Sequence, residues 1–181
     1  MDQERTWIQR ATRGDQAAFG ELVRAYERPV YNLAYRMLGN AEEAEDAAQE
    51  AFLRAYARLS TYQFERKFVN WLLSIASHYC IDRLRRHSRA PQVSLEDDLP
   101  PQYLASDEEM PDQAVARKQV QEMVRQALDA LPPDYRAAVV LRYWYDMSYE
   151  EIAATTDSTE SAIKSRLHRA RQMMAGLLQV A

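Results

Sequence analysis

Between Ser161 and Arg171 the chain reads SAIKSRLHRAR, with Lys164, Arg166, Arg169 and Arg171 as its cations and no acid among them. Cations on one helix neutralise phosphates, and the serine, histidine and arginine side chains between them can hydrogen-bond base edges. A second group is aromatic. Tyr62 and Phe64 stand just before a helix and beside Arg66 and Lys67. Rings next to cations offer an unpaired base a stacking face and its phosphate a counter-charge. A third group is acidic: Asp46, Gln49 and Glu50 share a helical face with Leu53 in their midst. Such a stripe is either a solvated face or, because of Leu53, a docking patch for a basic partner.

Other chemistry has little to work with. His78, Cys80, Asp82 and His87 lie close in sequence but match no zinc spacing, and one helix turns them to different faces. No phosphate-cradling glycine loop occurs. No catalytic residue, metal or cofactor is therefore expected. Cys80 is the single cysteine, which excludes an internal disulfide and suits a reducing compartment. The opening stretch MDQERTWIQRATRGD has no apolar core of signal-peptide length, and no run approaches a membrane span. The expectation is a cytoplasmic protein with no membrane insertion.

The elements that must position these groups are helices. Hydrophobic residues make up 47% of the 181-residue chain, only 4 glycines occur, and good helix formers dominate. The fold class expected is all-α. The net charge of −4 is unevenly spread: residues 91–115 hold no Lys or Arg, seven Asp or Glu and four of the 7 prolines. They read as an acidic flexible linker between two small helical domains, 1–90 and 116–181, with an ordered surface loop as the alternative.

In the first domain Asp15 is an N-cap for a helix that Pro29 should bend and Gly39 should end. Asn40 with Glu43 opens the next, where Ala44, Ala48, Ala51, Ala55 and Leu59 form the inner face, flanked by Phe52. Phe68, Trp71, Leu72, Ile75 and Tyr79 make the apolar face of a further helix that also carries Arg83, Arg85 and Arg86. In the second domain a helix from about Ala114 to Leu131 carries Val120, Met123, Val124, Ala127 and Leu128 on one face, until Pro132 and Pro133 stop it. A second helix follows, and Ser148 with Glu151 then forms a capping box for a short one. Beyond a tight turn, Ile163, Leu167, Ala170 and Met174 form a narrow apolar seam under the cationic face. Short helix, turn and cationic helix describe a helix-turn-helix whose outer face would enter the major groove.

The segments RGDQAAFGELVRAYERPVYNLAYRMLGN, AEDAAQEAFLRAY, FVNWLLSIASHYCIDRLRR, ALDALPPDYRAAVVLRY, SYEEIA and IKSRLHRAR together resemble bacterial RNA polymerase sigma factors of the extracytoplasmic-function (ECF) group, in order and over almost the whole chain. The resemblance implies a protein that binds core polymerase, aligns it on −35 and −10 promoter elements and promotes strand opening. It implies that Asp46, Gln49, Glu50, Phe52 and Leu53 meet the β′ clamp helices. Tyr62, Phe64, Arg66, Lys67 and Asn70, with Arg83, Arg85 and Arg86 further along, would handle the −10 element. Ser161, Ala162, Lys164, Ser165, Arg166, His168 and Arg169, with Arg171 beside them, would read the −35 element, and the second domain would touch the β flap. The implied partners are core RNA polymerase, promoter DNA and an anti-sigma factor. Two departures stand out: Thr155, Thr156 and Asp157 replace the usual leucine pair and glycine of the turn, and Ile75 to Tyr79 reads IASHY where relatives have IARN. A stand-alone helix-turn-helix repressor, dimerising through residues 1–90, is the competing expectation.

Overall fold

The computed structural model describes residues 2–88 and 111–178, and these form α-helices with one short 3-10 turn. The first cluster comprises α1 (Asp2–Thr12), α2 (Gln16–Leu38), α3 (Ala41–Arg58), the 3-10 turn Leu59–Thr61 and α4 (Phe68–His87). The second comprises α5 (Pro111–Asp129), α6 (Pro133–Trp144), α7 (Tyr149–Thr155) and α8 (Glu160–Leu178). The linker expected at 91–115 falls largely outside the described residues. Its last five positions, however, are already helical, because α5 starts at Pro111 rather than near Ala114. Proline is well tolerated at a first helical position, where its missing N–H would have had no partner.

The caps are those that the side chains dictate. Asp15 Oδ1 accepts from the Ala18 N–H at 3.0 Å, and Asn40 Oδ1 from the Glu43 N–H at 2.8 Å. Gly39 closes α2 in the left-handed region (φ 75°), donating to the Tyr35 carbonyl at 2.8 Å. Helix α2 is unbroken through Pro29. On α3 the buried residues are all alanines, Ala44, Ala47, Ala48, Ala51 and Ala55, and this methyl-only seam lets α3 lie close against α2 and α4. Leu22, Leu33, Met37, Phe68, Leu72 and Leu73 fill the space between helices, each contributing roughly 1.5–3 kcal/mol by burial.

In the second cluster Ala127, Leu128, Leu131, Val139, Val140, Ile152, Ile163 and Leu167 are buried. Val120 and Met123, expected on the inner face of α5, are instead exposed, Val120 by 59%. The helix meets α8 and α2, and its buried side chains Ala127 and Leu128 lie in its C-terminal half. Ser148 and Glu151 form the full capping box of α7.

The two clusters touch. Arg136, only 6% exposed, reaches the Met37 carbonyl in the last turn of α2 and also bonds Asp129 Oδ1 at 3.0 Å and its carbonyl at 2.8 Å. Tyr145 donates to the Pro29 carbonyl at 2.6 Å, and the Arg36 guanidinium lies 5.1 Å from the Trp144 ring centroid. Along α4, Glu151 Oε1 accepts from Asn70 at 3.0 Å and Lys67 at 3.3 Å, while Arg85 bonds both carboxylate oxygens of Asp134 at 2.8 and 3.0 Å.

At Gly39 an added Cβ would sit 3.5 Å from Asp129 Oδ1, an ordinary contact, so space is available and only the backbone objects. Gly39→Ala should therefore cost about 1–2 kcal/mol in urea denaturation, the left-handed penalty alone. The Glu151 carboxyl is held below its usual 4.5, first by the Ser148 N–H and then by Lys67 and Asn70. A depressed acid stabilises the fold above its unfolded pKa, and that contribution is lost as pH falls through the folded value. The thermal midpoint of Glu151→Gln should thus lie below that of the parent at pH 7, with the gap closing as pH drops below 4.5.

Candidate nucleic-acid and partner surfaces

Helix α8 presents its faces as its spacing demands. Ile163, Leu167 and Ala170 are buried against the cluster, and Ser161, Lys164, Ser165, His168, Arg169 and Arg171 are exposed, with Ala162 and Arg166 half-buried at the flanks. Arg169 reaches the Tyr135 hydroxyl at 3.5 Å and Arg171 the Leu167 carbonyl at 3.3 Å. No ion pair to a carboxylate is formed by these four cations among the described residues. The turn before α8 is built from Thr155, Thr156 and Asp157. Thr155 is buried, Thr156 Oγ1 donates to the Ile152 carbonyl at 2.8 Å, and Asp157 takes the left-handed backbone (φ 47°) that glycine would adopt without strain. Thr159 Oγ1 then accepts from the Ala162 N–H at 3.2 Å at the start of the helix.

The alanine seam turns the other side of α3 outward. Asp46 and Gln49 are exposed, Glu50 is half-buried, and Leu53 is 68% exposed. Phe52 is partly buried and packs on the core, so it supports this face more than it forms it. Glu50 bonds Arg54 Nε at 2.7 Å, and Arg54 in turn lies 4.9 Å from the Tyr79 ring centroid.

The residues grouped by sequence around Tyr62 do not all behave alike. Tyr62 is enclosed by Phe64, Phe68 and Trp71, with ring centroids 5.3–5.4 Å away, and its hydroxyl donates to the Arg66 carbonyl. It shapes the loop. Phe64, 43% exposed, offers open ring area, and the Arg5 guanidinium lies 5.1 Å from its centroid. Arg5 lies far upstream in sequence, and no local pattern could have paired it with Phe64. Arg66 and Lys67 are exposed and Asn70 half-buried beside them. Arg83 is engaged elsewhere: it bonds Glu43 of α3 at 3.0 Å and the Tyr79 hydroxyl at 3.3 Å, with Asp46 at 4.0 Å. Arg85 and Arg86 are exposed. With a rise of 1.5 Å per residue, Arg85 stands roughly 22 Å along α4 from Asn70, so the set forms two groups on one helix.

The sequence-adjacent His78, Cys80, Asp82 and His87 disperse. His78 Nδ1 bonds the Ser74 carbonyl at 2.7 Å and Nε2 lies 3.2 Å from Asp157, whereas His87 faces Glu43 at 3.6 Å. Among the described residues no group of three or more His, Cys, Asp or Glu side chains is placed to hold a metal ion. Cys80 is buried, which pushes its thiol up to about 12.

Two family models match the chain, Sigma-70 region 2 over residues 22–90 and Sigma-70, region 4 over residues 121–174. The chain is 35% identical over 174 residues to the ECF RNA polymerase sigma factor SigW of Bacillus subtilis, covering 92% of both proteins. It belongs to the ECF sigma factors. It is also 30% identical to the ECF RNA polymerase sigma-E factor of Escherichia coli, covering 95% of this chain and 92% of that one. Among solved structures, CnrH in complex with the cytosolic domain of CnrY superposes with a TM-score of 0.69 at 25% identity, covering 99% of each chain. The sigma factor RpoE of Bartonella quintana, solved with the anti-sigma factor NepR, shares the fold at the same TM-score and 24% identity, over 90% of this chain and 97% of that one. ECF sigma factors bind core RNA polymerase, bring it to promoters and catalyse no reaction; that function displaces the repressor alternative. Among the described residues no helix is long and apolar enough to cross a membrane.

The burial and raised pKa of Cys80 make a direct prediction. A thiol reagent at pH 8 should leave the folded protein unlabelled, with labelling appearing only as denaturant unfolds the first cluster.

Proposed function

We propose that the two clusters of this ECF sigma factor divide its work, the first gripping core polymerase and opening the −10 element, the second reading the −35 element. The observation that carries this reading is the contrast between two outer faces. Helix α8 shows Lys164, Arg166, Arg169 and Arg171 without an ion-paired carboxylate among the described residues, whereas α3 shows the exposed Leu53 on one face with Asp46, Gln49 and Glu50. The first face suits phosphates and base edges, the second a basic protein surface.

In this reading α7, the turn and α8 are a helix-turn-helix. Ser161, Ala162, Lys164, Ser165, Arg166, His168, Arg169 and Arg171 meet the −35 major groove, and the second cluster as a whole rests on the polymerase β flap. Asp46, Gln49, Glu50 and Leu53, backed by Phe52, take the β′ clamp helices. Phe64 stacks the unpaired −10 base, Tyr62 holds the loop, and Arg66, Lys67 and Asn70 meet the strand around it. Arg85 and Arg86 lie roughly 22 Å further along α4, about six base pairs at 3.4 Å each, where they can take duplex phosphates upstream. Arg83 acts through Glu43 to hold α3 and α4 together. Stacking returns about 1–3 kcal/mol, and flipping a base out of duplex costs a few, so bound core polymerase supplies the difference. The working compartment is the cytoplasm, where polymerase and DNA are. An anti-sigma partner is part of the proposal, and the CnrH likeness supports a regulatory protein partner.

The decisive experiment is run-off transcription by core polymerase on fragmented genomic DNA, paired with a core-binding assay. Lys164→Ala with Arg169→Ala should lower initiation at the mapped promoters about tenfold or more while core binding stays intact. Asp46→Ala with Leu53→Ala should weaken core binding by a similar factor. Loss of the same step by both pairs would refute the division of labour.

A further inference from the structure

Helix α1 reaches the loop before α4, and it brings a charge there. Ile8 and Ala11 bury its inner side, and Glu4 Oε2 accepts from the Tyr26 hydroxyl at 2.9 Å. The Tyr26 ring lies 5.5 Å from Phe68, and the Phe68 ring 5.3 Å from Tyr62. Glu4 is thereby tied to the aromatic cluster that shapes the loop. The next residue, Arg5, is exposed and carries its guanidinium over the Phe64 ring, 5.1 Å from the centroid. The negative face of the ring attracts the cation there. Among the described residues Arg5 forms no ion pair, and the neighbouring Glu4 carboxylate is taken by Tyr26.

Attraction to a ring uses the charge of a guanidinium and leaves its N–H donors available for oxygen ligands. Phe64 is 43% exposed even with Arg5 over it, so open ring area remains beside the cation. A nucleotide likewise joins a π-face to an anion within one short stretch of backbone. Because α1 packs on α2 and on the 3-10 turn, the cation is delivered from a fixed element rather than from the loop itself. We propose that Arg5 is a further strand-contacting residue of the −10 surface, holding a phosphate of the unpaired nucleotide whose base stacks on Phe64. This rests on the stacking role given to Phe64 above. Arg66 and Lys67 supply charge from the loop, and Arg5 adds a cation placed on the stacking ring.

The test is anisotropy of a fluorescent single-stranded oligonucleotide, bearing the −10 sequence mapped by run-off, on holoenzyme assembled with core polymerase. Arg5 is exposed and alanine suits a helix, so Arg5→Ala should fold as the parent does. It should weaken binding about fourfold at about 0.15 M salt and flatten the slope of log affinity against log salt by about 0.7, the signature of one single-strand phosphate. Arg13→Ala, which removes the same charge just beyond the far end of α1, should do neither. A scan with single methylphosphonate linkages then locates the contact: one position should weaken the parent chain and leave Arg5→Ala indifferent. A residue that merely steadies the ring would lower affinity without touching the slope. A slope equal to that of the Arg13 control, or a methylphosphonate profile shared by parent and Arg5→Ala, therefore overturns the proposal. Phe64→Leu reads the stacking role separately. If it binds as the parent does, stacking fails and the Arg5 contact falls with it. If it weakens binding while Arg5→Ala leaves the slope level, stacking stands and the Arg5 contact alone is refuted.

Discussion

One guanidinium lies where three helix ends meet. Arg136, in the first turn of α6, is almost fully buried, yet it touches the last turn of α2 through Met37 and the end of α5 through both the side chain and the carbonyl of Asp129. Burying a full positive charge is expensive, and burial pulls the Arg136 pKa down accordingly. What offsets the penalty is the company of helix C-termini, whose unpaired carbonyls carry partial negative charge, together with a carboxylate. Remove that arrangement and the second cluster loses one of its anchors on α2, leaving the Tyr145–Pro29 hydrogen bond and the Arg36–Trp144 contact beside it.

The inter-cluster contacts along α4 are of a different character. Lys67, Asn70, His78 and Arg85 meet their acids near solvent, where each pair is worth little by itself and is screened by salt. The interface thus combines one buried, geometry-dependent charge with a row of weak, exchangeable ones.

How much of this the amino-acid sequence discloses depends on the range over which the forces act. Asp15, Gly39, Asn40 and the Ser148–Glu151 box are local, since cap and partner lie three or four residues apart, and each is legible from residue type alone. The alanine seam of α3 and the apolar seam of α8 are periodic and equally legible. Leu53 could be singled out because its type disagrees with its face. The tie between Glu151 and Asn70 is neither local nor periodic; the two are 81 residues apart, and Glu151 was already accounted for as a cap. Val120 and Met123 fit a helical stripe perfectly well, but a stripe says only that a face is apolar, not that a neighbour reaches it. Arg83 and Arg85 look interchangeable in sequence, and only the placement of α3 turns one to Glu43 and leaves the other facing the second cluster. The residues around Tyr62 and along α4 accordingly needed coordinates to sort exposed from engaged side chains, whereas the inner and outer faces of α8 did not.

The alanine seam has a bearing on how such a protein can diversify. Because Ala44, Ala47, Ala48, Ala51 and Ala55 leave no slack against α2 and α4, almost any enlargement there would push the helix off its neighbours. The opposite side of the same helix touches little, so replacements at Asp46, Gln49 or Leu53 scarcely register in folding. Heredity therefore meets two regimes on a single helix, one face closed to drift and the other nearly free. A lineage can retune the affinity of this surface for its partner residue by residue, without ever passing through an unfolded ancestor.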